Sequence, residues 1–470
     1  MNPADAIAVI GGGPAGLAAA YELAHHGRPP MVFEKHGILG GLARTERYKG
    51  YRFDIGGHRF FTGHPRIRAL WDEVIGEDFR KVPRVSHIYY QRRFFNYPLE
   101  PFNALRNLGL WESTRVLLSY LRARLRPYPD ESTLDRWVSN RFGRRLFEIF
   151  FASYTEKVWG IPCHEIQSEW AAQRIQGMSL RTAVVNALLG TNSAKSLIRT
   201  FDYPVLGPGM IWERMAATIE RRGGSVTTGA AVTGLRWAER SVHEVEVAAG
   251  DGRRSLPVGQ VITSVPLNQL VGMFQPAAPE DVTSAARELE YRGFILVGLI
   301  VDRRLTLPDN WIYIHSPEVR AGRVQIFHNW SPAMVPDDNR SSLGVEYFCS
   351  VGDAIWALSD SDLIATARSE LVQLGLVKEG EVRDGVVFRH GHAYPVYNAR
   401  YRENRERVRR FLSDFDNLQT IGRNGLHRYN NMDHSMWTGL VAADSILGVR
   451  TDLWVDSEWS SDESAAAPYA

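Results

Sequence analysis

The chain has 470 residues, a formal net charge of +2, and 44% hydrophobic against 23% charged residues. That length accommodates two or more domains around a large core, and the composition is that of a folded globular chain rather than a disordered one. So small a net charge leaves no footprint for an obligate nucleic-acid partner, and Cys163 and Cys349 are too few for a disulfide framework, a zinc knuckle or an iron–sulfur site.

The first residues, MNPADAIAVIGGG, lack the basic region, separate apolar stretch and cleavage site of a secretory signal. The longest apolar run, Phe294 to Val301, is far short of the roughly 18 residues that span a bilayer, and it reads as a buried strand. A cytoplasmic protein with no transmembrane segment and no metal site is therefore expected.

Ile7 to Ile10 reads as a short apolar strand, Gly11-Gly12-Gly13-Pro14-Ala15-Gly16 as a turn, and Leu17-Ala18-Ala19-Ala20 as the helix that follows. Met31-Val32-Phe33 is the second strand, ending on Glu34. This context gives Gly11, Gly13 and Gly16 a physical meaning that an isolated glycine pattern lacks. Gly11 permits the tight turn, Gly13 lets the backbone approach a pyrophosphate, and Gly16 allows close helix–strand packing. The helix N-terminus offers amide donors to the phosphates. Glu34 accepts from ribose hydroxyls and disfavours a 2′-phosphate, which completes a Rossmann-type dinucleotide site.

From Arg84 to Thr200 aromatic and basic residues recur at helical spacing. Arg115 to Arg126 is basic and partly amphipathic there, and a surface helix is expected, with peripheral membrane contact as the second reading. Val226 to Leu235, Gln260 to Ser264 and Asn417 to Gly422 read as returns to the nucleotide-binding sheet. Phe294 to Val301, Val324 to His328, Leu343 to Ser350 and Val386 to Arg389 read as strands, with helices over residues 362–374 and 436–447. The expected fold is α/β, a Rossmann-type FAD-binding domain with an inserted mixed α/β substrate domain. The expected boundaries are 1–85, 201–265 and 400–455 for the dinucleotide domain, 86–200 for a helical substrate subdomain and 266–399 for a β-rich one. Residues 456–470, rich in Ser, Asp, Glu and Ala, are expected to form a disordered tail.

Gly40-Gly41-Leu42-Ala43-Arg44-Thr45 resembles the second glycine motif of the amine-oxidase-like flavoproteins, and the stretch with Val232 resembles their adenine-contacting segment. The resemblance favours FAD over NAD and implies that Gly41, Arg44 and Val232 help hold it. Further segments resemble UDP-galactopyranose mutases: Phe53 through Thr62 with Gly57 and His58, Asn96-Tyr97-Pro98-Leu99, and Tyr154-Thr155-Glu156-Lys157-Val158-Trp159-Gly160. So do Arg174, Tyr291-Arg292, Tyr394-Pro395, and the block from Gly422-Arg423 through Tyr429 to Met432-Asp433.

This second resemblance implies that His58 stands at the flavin ring and that Gly57, Gly422 and Met432 touch the cofactor. It makes Arg174, Arg292 and Arg423, with Tyr429, the groups acting on a sugar-nucleotide diphosphate, and Tyr97, Tyr154, Trp159 and Tyr394 substrate contacts. Planar, permanently charged guanidinium forks suit a diphosphate. The implied reaction is redox-neutral pyranose–furanose isomerisation through N5 of reduced FAD, with NAD(P)H as an external reductant. His58-Arg59-Phe60-Phe61 departs from the bacterial mutases' His-x-Phe-His. The Asp54-Ile55-Gly56-Gly57-His58 loop also resembles protoporphyrinogen-oxidase-like and amine-oxidase-type enzymes. These imply the alternative, an FAD-dependent oxidoreductase taking a hydride from a C–N or C–C unit.

Overall fold

A computed structural model describes residues 5–97, 99–168, 199–250 and 252–449. Five parallel strands form its nucleotide-type sheet, in the order Leu418–Thr420, Gln260–Thr263, Ile7–Ile10, Met31–Glu34, Ser225–Thr228. Because successive side chains point to opposite faces, each strand feeds two cores. Ile7, Val9, Val32 and Ile262 join the helices Pro14–His25, Gly209–Arg221 and Met432–Ile446 on one side. Ala8, Ile10, Phe33 and Val261 meet Leu235, Val245 and Val247 of an antiparallel meander on the other.

That meander consists of Ala230–Ala238, Ser241–Ala249 and Gly252–Pro257. Residues 225–228 thus return to the parallel sheet as expected, whereas the next strand leaves it. The helices Leu267–Val271 and Glu280–Arg287 contribute Leu267, Val271 and Ala285 to this same core. They sit with the nucleotide-type sheet, although their position in the chain suggested the β-rich region.

The second large sheet is mixed and has seven strands: Val382–Pro395, Tyr291–Val301, Ser341–Cys349, Arg323–Ile326, Trp311–Ile314, Ser86–Tyr90 and Arg93–Asn96. The strand Tyr291–Val301, second in that order, is buried along its whole length. Ile295, Val297 and Leu299 pack toward the helix Asp360–Gln373, while Phe294, Leu296 and Ile300 face a core shared with the helices between Leu134 and Trp159.

One expectation needs correction here. Residues 86–96 form a hairpin rather than helix, because Ser86–Tyr90 pairs in parallel with Trp311–Ile314. A partner that distant in sequence is invisible to local periodicity. Helices do follow, at Pro101–Leu108, Leu110–Leu125, Leu134–Phe142 and Ser153–Trp159. The expected tail, residues 456–470, lies outside the described residues. Among those described, no helix is long and apolar enough to cross a membrane.

Candidate functional site

A long cleft runs between the two large sheets, lined at one end by Gly11, Gly13, Glu34, Gly41 and Val232 and at the other by Phe294, Trp311 and Tyr394. The strand Ile7–Ile10 delivers the glycine turn to the start of the helix Pro14–His25, whose first position is proline, a residue with no amide to lose there. Gly16 lies beneath the turn, where a β-carbon would clash with the Gly11 carbonyl oxygen.

Gly13 and Gly41 face each other across the cleft floor: a β-carbon on Gly13 would meet only Gly41 backbone, Cα at 3.8 Å and N at 4.0 Å. The Gly40 amide donates to the Gly12 carbonyl at 2.8 Å and locks the two glycine turns together. The result is a cradle with bare backbone on both sides, shaped for a pyrophosphate. Glu34 is fixed by amides of Gly12 at 2.8 Å and His36 at 2.9 Å, one on each carboxylate oxygen. A carboxylate has about four acceptor positions, so two remain for ribose hydroxyls.

Arg44 does not line the cleft. Its Nη1 donates to the Gly41 carbonyl at 2.9 Å and its Nε to Glu46 at 2.6 Å, so it braces the second glycine turn from behind.

Gly57, His58, Arg423, Tyr429, Tyr394, Gly422 and Met432 also line the cleft. His58 Nε2 donates to the Ile55 carbonyl at 2.8 Å, leaving Nδ1 as the acceptor of a neutral ring. Burial pushes its pKa down to about 4, and the Arg423 and Arg323 cations push the same way. Arg423 is held by the carbonyls of Asn430 and Ala393, and its guanidinium lies 4.5 Å from the Tyr429 ring centre. Tyr429 and Tyr394 stack nearly parallel, with centroids 6.0 Å apart.

The family model of flavin-containing amine oxidoreductases matches residues 14–447. The chain belongs to that family. It is a flavoenzyme with an FAD-binding α/β fold, and the cradle between Gly13 and Gly41 fits the pyrophosphate of that cofactor. A curated relative is the Dictyostelium discoideum protein named "Probable flavin-containing monoamine oxidase A", 29% identical over 151 residues, which are 28% of this chain and 32% of that one. The match thus spans about a third of the relative's length.

Among solved structures, reduced UDP-galactopyranose mutase superposes with a TM-score of 0.83 at 22% identity, covering 98% of this chain and 96% of that one. Putrescine oxidase bound to putrescine gives 0.61 at 18% identity, covering 94% and 98%. These likenesses establish the fold.

Within this flavoenzyme the remaining sequence-derived site residues separate into two groups. Arg174 lies outside the described residues. Arg292 is away from the cleft: its guanidinium bonds Ser350 Oγ at 2.7 Å and the carbonyls of Lys157 and Val158 at 3.4 Å. It caps the C-terminus of the helix Ser153–Trp159, where a cation meets the negative end of the dipole. Tyr154 is buried against His315 with ring centres 5.0 Å apart, and Trp159 stacks on Tyr397 at 5.7 Å. Tyr97 lies under the Arg84 guanidinium at 4.9 Å. All three back the cleft wall without lining it.

The structure also brings in residues that sequence reasoning missed. Arg59 lines the cleft beside His58, and Arg59 and Arg84 each stand 5.8 Å from the Trp311 ring. Among the described residues no carboxylate pairs with either, and Arg59 Nη1 with Arg84 Nε and Nη1 are buried without a hydrogen-bond partner. Burial and the Arg84 charge both lower the Arg59 pKa. Arg323 also lines the cleft, on a strand of the mixed sheet, with Nε 2.6 Å from Glu346, whose other oxygen accepts from Gln325 at 2.7 Å. Burial opposes the Arg323 charge, yet the Glu346 carboxylate holds its pKa well above the ordinary value. The available signal was an arginine and a glutamate at inward positions of apolar strands.

Proposed function

We propose that this flavoenzyme acts on a nucleotide sugar, resembling UDP-galactopyranose mutase in a redox-neutral pyranose–furanose isomerisation. The observation that carries the reading is the Arg59–Arg84 pair, two neighbouring cations with buried, open donor atoms and, among the described residues, no carboxylate partner. Such a pair is costly unless an anion completes it, and a diphosphate offers oxygens in the spacing guanidinium forks prefer. The full-length superposition on the reduced mutase supports the same reading.

Bound FAD would supply, in its reduced form, a nucleophilic centre at the flavin ring. The chain's own residues do the rest. Gly13, Gly41 and the helix N-terminus hold the cofactor's pyrophosphate, and Glu34 its ribose. Arg59, on the cleft wall, holds the substrate's diphosphate, and Arg84, on the same Trp311 ring behind it, adds its charge. Arg423 is fixed by two carbonyls, so it presents a pre-aimed positive charge without reorganisation. Neutral His58 offers Nδ1 as an acceptor for a hydroxyl or a ring N–H.

The second reading, hydride removal from an amine, is favoured by the curated monoamine oxidase relative. The cleft's charges oppose it. Lys35, Arg59, Arg323 and Arg423 outnumber the two carboxylates of the cleft lining, Glu34 and Asp433, and Arg423 already lies over Tyr429, where an ammonium would seek its aromatic partner. A spectral titration separates the two. UDP perturbs the oxidised flavin spectrum at concentrations where putrescine does not, whereas bleaching by putrescine would establish the oxidoreductase.

A further inference from the structure

The helix Leu110–Leu125 buries only Val116 deeply and turns an apolar stripe outward. Leu110 is 90% exposed, Trp111 78% and Leu125 83%, and Leu117, Leu118 and Leu121 are exposed between them. At about 100° per residue these six side chains occupy one continuous face of the helix, opposite Val116. Arg115 and Arg122 border that face on one edge and Arg124 on the other. Phe102 and Leu105, on the preceding helix Pro101–Leu108, are exposed as well.

A stripe this apolar facing water needs a reason. Residues 101–126 carry five arginines and a single acid, Glu112, whose carboxylate is taken by Arg145 and Arg115 at the helix's inner edge. Two copies meeting through this face would bring like charges together along its borders. An anionic lipid surface satisfies both features at once. Leucines and Trp111 enter the acyl boundary, and the flanking guanidiniums reach phosphate headgroups.

We infer that the helix Leu110–Leu125 is a peripheral docking surface for an anionic lipid bilayer. It holds the enzyme at the membrane without crossing it, independently of which reaction the cleft performs.

Co-sedimentation of the whole flavoprotein with vesicles tests this, using phosphatidylcholine alone and phosphatidylcholine mixed with phosphatidylglycerol. Binding is expected to the mixed vesicles only and to weaken with salt. The Leu118→Ser/Leu121→Ser variant should lose it. An Arg115→Gln/Arg122→Gln/Arg124→Gln variant should bind roughly fivefold more weakly per arginine removed. Flavin absorbance and circular dichroism report whether each variant is folded, and all five substituted side chains are outside the cleft.

Failure of the wild-type protein to bind the mixed vesicles at low salt overturns the inference, as does binding unchanged in folded variants. A wild-type dimer that the leucine variant turns into a monomer, with no vesicle binding, also overturns it and gives the face to a second copy.

Discussion

Arg292 lies directly across Gly160: a β-carbon on that glycine would meet the guanidinium carbon of Arg292. Gly160 has φ +68° and ends the helix whose last carbonyls Arg292 accepts as partners for its N–H groups. A motif that reads as a substrate contact is, in this fold, a helix stop built around a buried cation.

Arg292→Ala should therefore act on stability rather than on substrate. Losing charge-assisted hydrogen bonds at a helix C-terminus costs about 1.5–3 kcal/mol. Gly160→Ala adds left-handed strain of about 1–2 kcal/mol to the clash. Urea unfolding of both variants should show lowered midpoints, while UDP affinity of folded Arg292→Ala stays within about twofold, less than the loss of one hydrogen bond would give.

Arg59→Gln and Arg84→Gln should behave in the opposite way. Each removes one charged donor set from the proposed diphosphate clamp, worth about 1.5–3 kcal/mol, or roughly 10- to 100-fold in UDP affinity. Stability should hold or rise, since two neighbouring cations without a carboxylate partner no longer oppose each other. Isothermal titration with UDP checks the first effect and urea unfolding the second; unchanged affinity in both variants would remove the clamp.

The cofactor cradle is tested at Gly13. A valine there places its side chain in the space between the two glycine turns, where Gly41 Cα is the nearest atom. Gly13→Val should purify with little flavin, seen as a collapsed ratio of flavin to protein absorbance, yet remain folded by circular dichroism. A variant as yellow as the wild type would put the pyrophosphate elsewhere.

Buried histidines set an acid limit, His315 and His427 among them. Burial holds His315 and His427 neutral, with pKa values of about 3. An unfolded histidine takes up its proton near pH 6.5, so the unfolded state binds more protons below that pH. The stability these rings contribute is full above pH 6.5 and is lost as the pH falls toward 3. Between pH 7 and 5 the loss is about 2 kcal/mol for each ring. Urea midpoints should fall steeply over that interval, and His315→Phe, which keeps a ring against Tyr154, should flatten the fall.

How much of this was legible in the sequence followed the range of the interaction. The glycine turn and Glu34 were readable because a strand, a turn and a helix are contiguous in the chain and each glycine has a local steric reason. The hairpin at Ser86–Asn96 was not, because its partner strand comes more than 200 residues later, as in the His87–Asp309 contact with a separation of 222. Arg423, Tyr429 and Tyr394, named from motif resemblance, line one cleft in the fold. The same resemblance carried Arg292 along, and the amine-oxidase-like glycine motif carried Arg44, since a motif records that a residue type recurs and not whether its charge faces a ligand or a backbone carbonyl. Arg59 stood inside a quoted motif unnoticed, because the absence of a carboxylate partner is a property of three-dimensional packing.

The measurement that bears most directly on the central claim is turnover of UDP-galactose by the anaerobic protein, with the flavin oxidised and then reduced by dithionite. A ring-isomeric UDP-sugar should form only with the reduced protein, with no electrons consumed per turnover. No isomer from the reduced protein, together with bleaching of the oxidised flavin by an amine, would contradict it and leave only the scaffold in common with the mutases.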